Sequence, residues 1–146
     1  MERVWSAGDK VGLTLDMPVQ FIESHPLVEE TRNHLAVQRG PIVYCLESVD
    51  LPDDVSLAQV AISRTTTFTP DQDASFDGIT DEMRVLRGTV QVIDSTPWNG
   101  QLYRPASRPG IRDIEAQLVP YYAWDNRGKS EMSVWLPELY GPERIS

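Results

Sequence analysis

Cysteine is almost missing from this chain: Cys45 stands alone among 146 residues. An internal disulfide and a cysteine-based metal cluster are thereby excluded. Histidine is nearly as scarce. His25 and His34 fall on what read as a loop and a strand, at no recognisable metal-ligand spacing. No apolar run approaches the roughly 20 residues a membrane helix needs. Met1 to Lys10 lacks a basic start followed by an apolar core, so it does not read as a signal peptide. With one cysteine and neither of those segments, a cytoplasmic location is favoured. No window keeps a 3.6-residue apolar period for three turns, so little or no helix is expected. There is no internal repeat, Gly-rich phosphate loop, Ser/His/Asp signature or basic patch.

Positive charge is also in short supply. The net charge is −9, and eight acidic residues from Asp50 to Glu82 face one base, Arg64, which accounts for −7 of it. A phosphate backbone would be repelled, so nucleic acid and anionic membrane are poor partners. What remains is a globular profile, 40% apolar and 24% charged, at a length that suits one domain or two small ones.

What is present is β pattern. Val11, Leu13 and Leu15 alternate with Gly12, Thr14 and Asp16, which predicts a half-buried strand after a Ser6–Asp9 turn. Leu35 and Val37 alternate with Ala36 and Gln38. Gly40 and Pro41 then open the best strand of the chain, Ile42 to Leu46. It is apolar at both side-chain parities and so should be covered on both faces. Asp50 to Asp54 is an acidic, proline-containing break and a candidate domain boundary. Beyond it, Ala58, Val60 and Ile62 share one strand face. Thr65 to Asp81 reads mostly as loop. Leu86, Val90 and Val92 share a face opposite Arg87, Thr89 and Gln91, with Gly88 suggesting a bulge. Leu118–Trp124 and Met132–Leu136 read as two strands of a hairpin turning at Asp125–Gly128. Short strands with frequent turn signals predict an all-β fold, an antiparallel, jelly-roll-like β-sandwich.

Few residues point to chemistry. Cys45 sits in the most apolar strand, where a thiol acts as a small core residue rather than a nucleophile. Asp71, Asp73 and Asp77 miss the calcium-loop pattern of glycine at the sixth position and glutamate at the twelfth. Trp98, Tyr103 and Trp124 are candidates for stacking on a sugar, against the alternative that they pack in the core or at an interface. The residues therefore yield an acidic all-β chain with sugar-contact candidates, no catalytic residue and no metal site.

A resemblance goes further. Arg3-Val4-Trp5, Gly8-Asp9-Lys10-Val11 and Leu15-Asp16-Met17-Pro18-Val19 form one block of it. Leu35 to Glu47 forms a second, and Val119 to Gly128 with Glu131 to Leu136 a third. Together they resemble the C-terminal β region of the β-L-arabinofuranosidase family of glycoside hydrolases, family 127. The resemblance spans nearly the whole chain and is weakest from Asp53 to Gly110. It implies an (α/α)6 catalytic barrel followed by two β-sandwiches. It implies retaining cleavage of terminal β-L-arabinofuranosides by a cysteine nucleophile. That cysteine would lie beside a zinc held by cysteines and a glutamate, with a second glutamate as acid/base. All of these belong to the barrel, and nothing in this chain matches them, Cys45 included, so no cofactor is expected here. Residues 1–49 are then expected to be the second half of one sandwich, its upstream strands missing, and residues 50–146 a second sandwich. The implied partners are the barrel, a second copy through the β region, and arabinose-containing glycans. A half-sandwich leaves an open edge, which must either pack on the second sandwich or pair with another copy.

Overall fold

A computed structural model describes residues 4, 6–71, 84–94, 97 and 99–140. The fold is all-β. Its described strands are β1 (Val19–Glu23), β2 (His34–Arg39), β3 (Ile42–Glu47), β4 (Val60–Ala61), β5 (Phe68–Asp71), β6 (Val85–Ile93), β7 (Ile111–Pro120), β8 (Met132–Ser133) and β9 (Trp135–Pro137). Helix among the described residues is limited to single 3-10 turns at Glu29–Thr31, Ser48–Asp50, Leu57–Gln59 and Tyr121–Ala123. The strands make one antiparallel sheet in the order β1-β2-β3-β7-β6-β4, with β5 beside β6, β8 beside β3 and β9 beside β2.

The turn between β2 and β3 follows from Gly40. Arg39 pairs with Ile42, so Gly40 and Pro41 form a two-residue loop. Gly40 has φ 57°, as the first central position of a II′ hairpin turn requires. The two strands then splay, and the C-terminal strands fill the gap. β9 pairs with β2 through Leu35 and Leu136, while β8 pairs with β3 through Leu46 and Ser133. Just past β9 the sheet meets itself. The Ile62 N–H donates to Pro137 O at 3.0 Å and the Leu139 N–H to Ile62 O at 2.8 Å. The curl this produces encloses the core in a sandwich-like way.

That core contains Leu35, Val37, Tyr44, Leu46, Val60, Ile62, Leu86, Val90, Val92, Leu118 and Leu136. The alternating residues of β2 and β6 face it as the sequence pattern predicts. A smaller cluster lies on the other face of β3, made by Cys45, Val85 and Val119 with Met132 and Val134 against them. Tyr44, Cys45, Leu46 and Glu47 are all buried, so β3 is covered on both faces over that stretch; Val43 remains exposed.

Several expectations are corrected. Leu118–Trp124 and Met132–Leu136 do not pair as a hairpin. β7 and β8 flank β3 on opposite sides, because the Tyr121–Ala123 turn carries the chain across the end of β3. Gly88 makes no bulge: it pairs in register with Phe68 on one side and Ala116 on the other. It is glycine because a Cβ there would lie 2.5 Å from Thr67 O and 2.7 Å from the Phe68 ring. Within Thr65–Asp81, expected to be mostly loop, Phe68–Asp71 is strand and residues 72–81 lie outside the described residues; Ala58 is exposed in a 3-10 turn rather than sharing a face with Val60. The Val11–Leu15 stretch belongs to no strand, since no described residue of the chain pairs with it. The sheet and core also run across position 49/50, with Tyr44 paired to Pro120 and Leu46 packed with Leu118.

Candidate functional site

Among the described residues, the most buried cluster of charge sits where β3 ends. Glu47 closes a strand covered on both faces, so its carboxylate is fully buried, and a buried carboxylate needs compensation. Arg127 supplies it. Gly128, at φ 106°, and Asp125, at φ 65°, turn the 124–131 connection back over the end of β3. Arg127 Nη2 donates to Glu47 Oε2 and, at 2.5 Å, to Asp50 Oδ2; Arg127 Nη1 donates to Asp50 Oδ1 at 2.7 Å. The Asp125 N–H donates to the second Glu47 oxygen at 3.1 Å, and Gln117 Nε2 donates to Asp50 Oδ1 at 3.2 Å. Hydrogen bonding to Asp50, and then to Glu47, raises the Arg127 pKa above its already high ordinary value, against the opposing effect of burial. Ser48 continues the seam: its N–H donates to Glu131 O at 2.9 Å and its Oγ accepts the Glu131 N–H at 3.0 Å.

This arrangement clasps the chain. Both Glu47 oxygens and both Asp50 oxygens are engaged, so neither carboxylate is posed to take or give a proton to a bound molecule. Beside Asp50 lies a small notch of about 190 Å³ lined by Asp50, Arg87, Glu115, Ala116 and Gln117. Its charged groups are tied as well. Arg87 pairs with Asp71 at 2.5 Å, and Glu115 accepts from Thr89 Oγ1 at 2.7 Å. The clasp escaped the sequence reading, which took Asp125–Gly128 as a turn and Asp50 as part of a break. One signal was there: a charged residue ending a doubly covered strand demands a partner.

Cys45 lies in the buried outer cluster of β3. Its Sγ donates weakly to Val119 O at 3.6 Å, and burial, followed by the nearby Glu47 charge, pushes the thiol pKa up from 9.0 to about 12. That is the opposite of an activated thiolate. The residues present do not fit a zinc: the lone thiol is buried and protonated, and no three His, Cys, Asp or Glu side chains among the described residues gather around a common point.

Two of the three sugar-contact candidates lie among the described residues. Tyr103 is 90% exposed in the connection between β6 and β7, and Trp124 is 36% exposed after the Tyr121–Ala123 turn. Trp98 lies outside the described residues, as do Asp73 and Asp77 of the acidic loop. The aromatic surface the structure does build is an open apolar depression of about 550 Å³. It is lined by Val43, Tyr121, Met132, Ser133, Val134 and Trp135, alongside the Cys45 cluster.

Comparison with known proteins gives the following. The model of the glycoside hydrolase family 127 C-terminal domain matches residues 19–137. A non-reducing end β-L-arabinofuranosidase of Bifidobacterium longum subsp. longum is 34% identical over 142 residues, covering 90% of this chain and 20% of that protein. Among solved structures, one described as a glycoside hydrolase superposes with a TM-score of 0.76 at 40% identity, over 86% of this chain and 20% of its own. A family 127 β-L-arabinofuranosidase from Geobacillus stearothermophilus T6 does so with a TM-score of 0.70 at 37% identity, over 84% and 18%. The chain thus spans about a fifth of the relatives it matches. Among the described residues no helix is long and apolar enough to cross a membrane.

Proposed function

The chain belongs to the glycoside hydrolase family 127 C-terminal domain family, and from that membership we propose that it is the non-catalytic C-terminal β portion of a β-L-arabinofuranosidase-like glycosidase. In this reading it braces an (α/α)6 catalytic barrel and contributes a surface to a homo-oligomer. Zinc, nucleophile and sugar site all belong to the upstream part. The supporting observation is the domain match over residues 19–137 in a chain whose buried Glu47 and Asp50 carboxylates are both occupied by Arg127. The test is direct. The purified chain is assayed on a chromogenic β-L-arabinofuranoside, and no hydrolysis above the no-protein rate is expected. Turnover by this chain alone would overturn the reading.

The exposure of Tyr103 and Trp124 favours a second reading, a carbohydrate-binding module. Titration with arabinooligosaccharides, followed by tryptophan fluorescence, separates the two. Saturable quenching that is lost in Trp98→Ala would support the module. A flat titration supports the bracing role.

A further inference from the structure

The chain holds three asparagines, Asn33, Asn99 and Asn126, and their surroundings differ in kind. Two are held. Asn33 Oδ1 accepts from the Tyr140 hydroxyl at 3.1 Å, and its backbone carbonyl accepts the Glu138 N–H at 2.8 Å. The residue after it, His34, is fixed at the start of β2, paired with Pro137. Asn126 Nδ2 donates to Ala123 O at 3.0 Å, and the next residue, Arg127, is locked into the clasp. Asn99 has none of this. It and Gly100 lie exposed in the connection between β6 and β7, with φ of 47° and 76°, as the two central positions of a I′ turn require. Among the described residues neither of them makes a hydrogen bond. A Cβ built on Gly100 would meet nothing within 4 Å, so the turn stands clear of the rest of the fold.

We propose that Asn99 is a site of spontaneous modification, selective within this chain, at which the side-chain amide is lost through a cyclic imide closed by Gly100. The only co-reactant is water. The Gly100 backbone nitrogen, once deprotonated, attacks Asn99 Cγ; a C–N bond forms and the side-chain nitrogen leaves as ammonia. Water then opens the five-membered imide at either carbonyl. The products are aspartate and the isomer in which the backbone runs through the side-chain carboxyl. Nothing is oxidised or reduced. Two features single out Asn99. The attacking nitrogen belongs to a glycine, so no Cβ beside it blocks the approach. The turn must also leave its left-handed geometry to bring nitrogen and Cγ together, and a pair without hydrogen bonds does so at little cost. At Asn33 and Asn126 the same swing would break a hydrogen bond and disturb β2 or the clasp. Either product adds a negative charge to a chain already at −9. The Asp94 N–H closes the base of the connection on Gly110 O at 2.9 Å, so the change stays outside the sheet. In sequence it falls between Trp98 and Tyr103, two of the sugar-contact candidates.

The experiment ages the purified chain at pH 7 and pH 9 and follows each asparagine by peptide mapping, with fragmentation that separates the two isomers. Asn99 should convert about tenfold faster than Asn33 or Asn126 in the folded chain, whose hydrogen bonds protect the other two. Its rate should rise with pH, because the attacking group is the deprotonated nitrogen. In concentrated urea Asn33 and Asn126 should speed up, while Asn99 should change by less than about threefold, since the folded turn offers it little protection. Asn99→Ser should remove the new acidic species from isoelectric focusing and leave the melting temperature unchanged. Equal conversion at all three asparagines overturns the proposal. So does an Asn99 that reacts in urea but stays intact in the folded chain. Aspartate formed without its isomer overturns the imide route.

Discussion

A buried thiol and a largely buried guanidinium set the chemistry of this chain at the scale of the residue. The Cys45 thiol titrates at about 12 in the folded chain against an ordinary 9.0, because burial penalises the thiolate. Below pH 9 both states hold the proton and nothing is lost. Above it the unfolded chain releases the proton while the native chain keeps it. Unfolding should therefore become easier by about 1.4 kcal/mol per pH unit from this group as pH rises toward 12. Urea melts at pH 10 and 11 should show nearly that slope, and Cys45→Ala should remove this share of it. Arg127 is the reverse case, a charge required by its surroundings. Arg127→Met strands Glu47 as an uncompensated buried carboxylate and should cost about 3–5 kcal/mol in chemical denaturation at pH 7. Adding Glu47→Gln should recover part of the loss. Arg127→Lys should recover little, because one flat fork reaches two carboxylates at once. The inertness of Cys45 was legible in the sequence, since Tyr44 and Leu46 announce a core strand. The clasp was not, because Arg127 meets Glu47 across 80 residues and no local pattern encodes that meeting.

At the scale of the element, short-range pattern predicted strands well and partners poorly. The alternation in β2 and β6 named their inner faces correctly: Leu35, Val37, Leu86, Val90 and Val92 all reach the core. Alternation carries no information about the neighbour, however, and proximity in sequence misled at β7 and β8. A tight Asp125–Gly128 turn would join them directly. Arg127 instead holds that turn against the end of β3, so the strands land on either side of it. Gly88 teaches a similar lesson, for a glycine in a strand signals either a bulge or a close neighbour, and only the position of Thr67 decides. Gly88→Ala should destabilise by about 1–3 kcal/mol through overpacking, read as a lower melting temperature by circular dichroism. Leu136→Ala, in the strand that fills the splayed β2–β3 gap, should cost about 2–5 kcal/mol, because its side chain is wholly buried.

At the scale of the molecule, fold class and family were both legible, the first from turn spacing and the second from three blocks of residues. The continuity of the sheet across the Asp50–Asp54 stretch was not. The acidic Asp50–Asp54 break has every local mark of a linker, yet Asp50 is drawn into the clasp and Asp54 pairs with Arg112 at 2.6 Å. Linker composition reports solvent exposure of a turn, not the absence of contacts across it. Removing residues 1–16 is a test at this scale. The described residues of that stretch, 4 and 6–16, are all exposed, so the truncated chain should keep its stability to within about 0.5 kcal/mol in urea. A larger loss would mean that the Val11–Leu15 stretch is already docked within this chain.

The meeting of Ile62 with the segment just past β9 also bears on how the chain is made. Ribosomes deliver residues from the N-terminus, so β2, β3 and β4 emerge long before the strand that completes their pairing. Until residues 135–139 are released, the splayed hairpin and the β4 edge wait with their hydrogen-bonding groups unmet. Completion of this sheet thereby waits on the release of residues 135–139. A premature stop before Trp135 would leave an open, adhesive sheet rather than a slightly shorter protein.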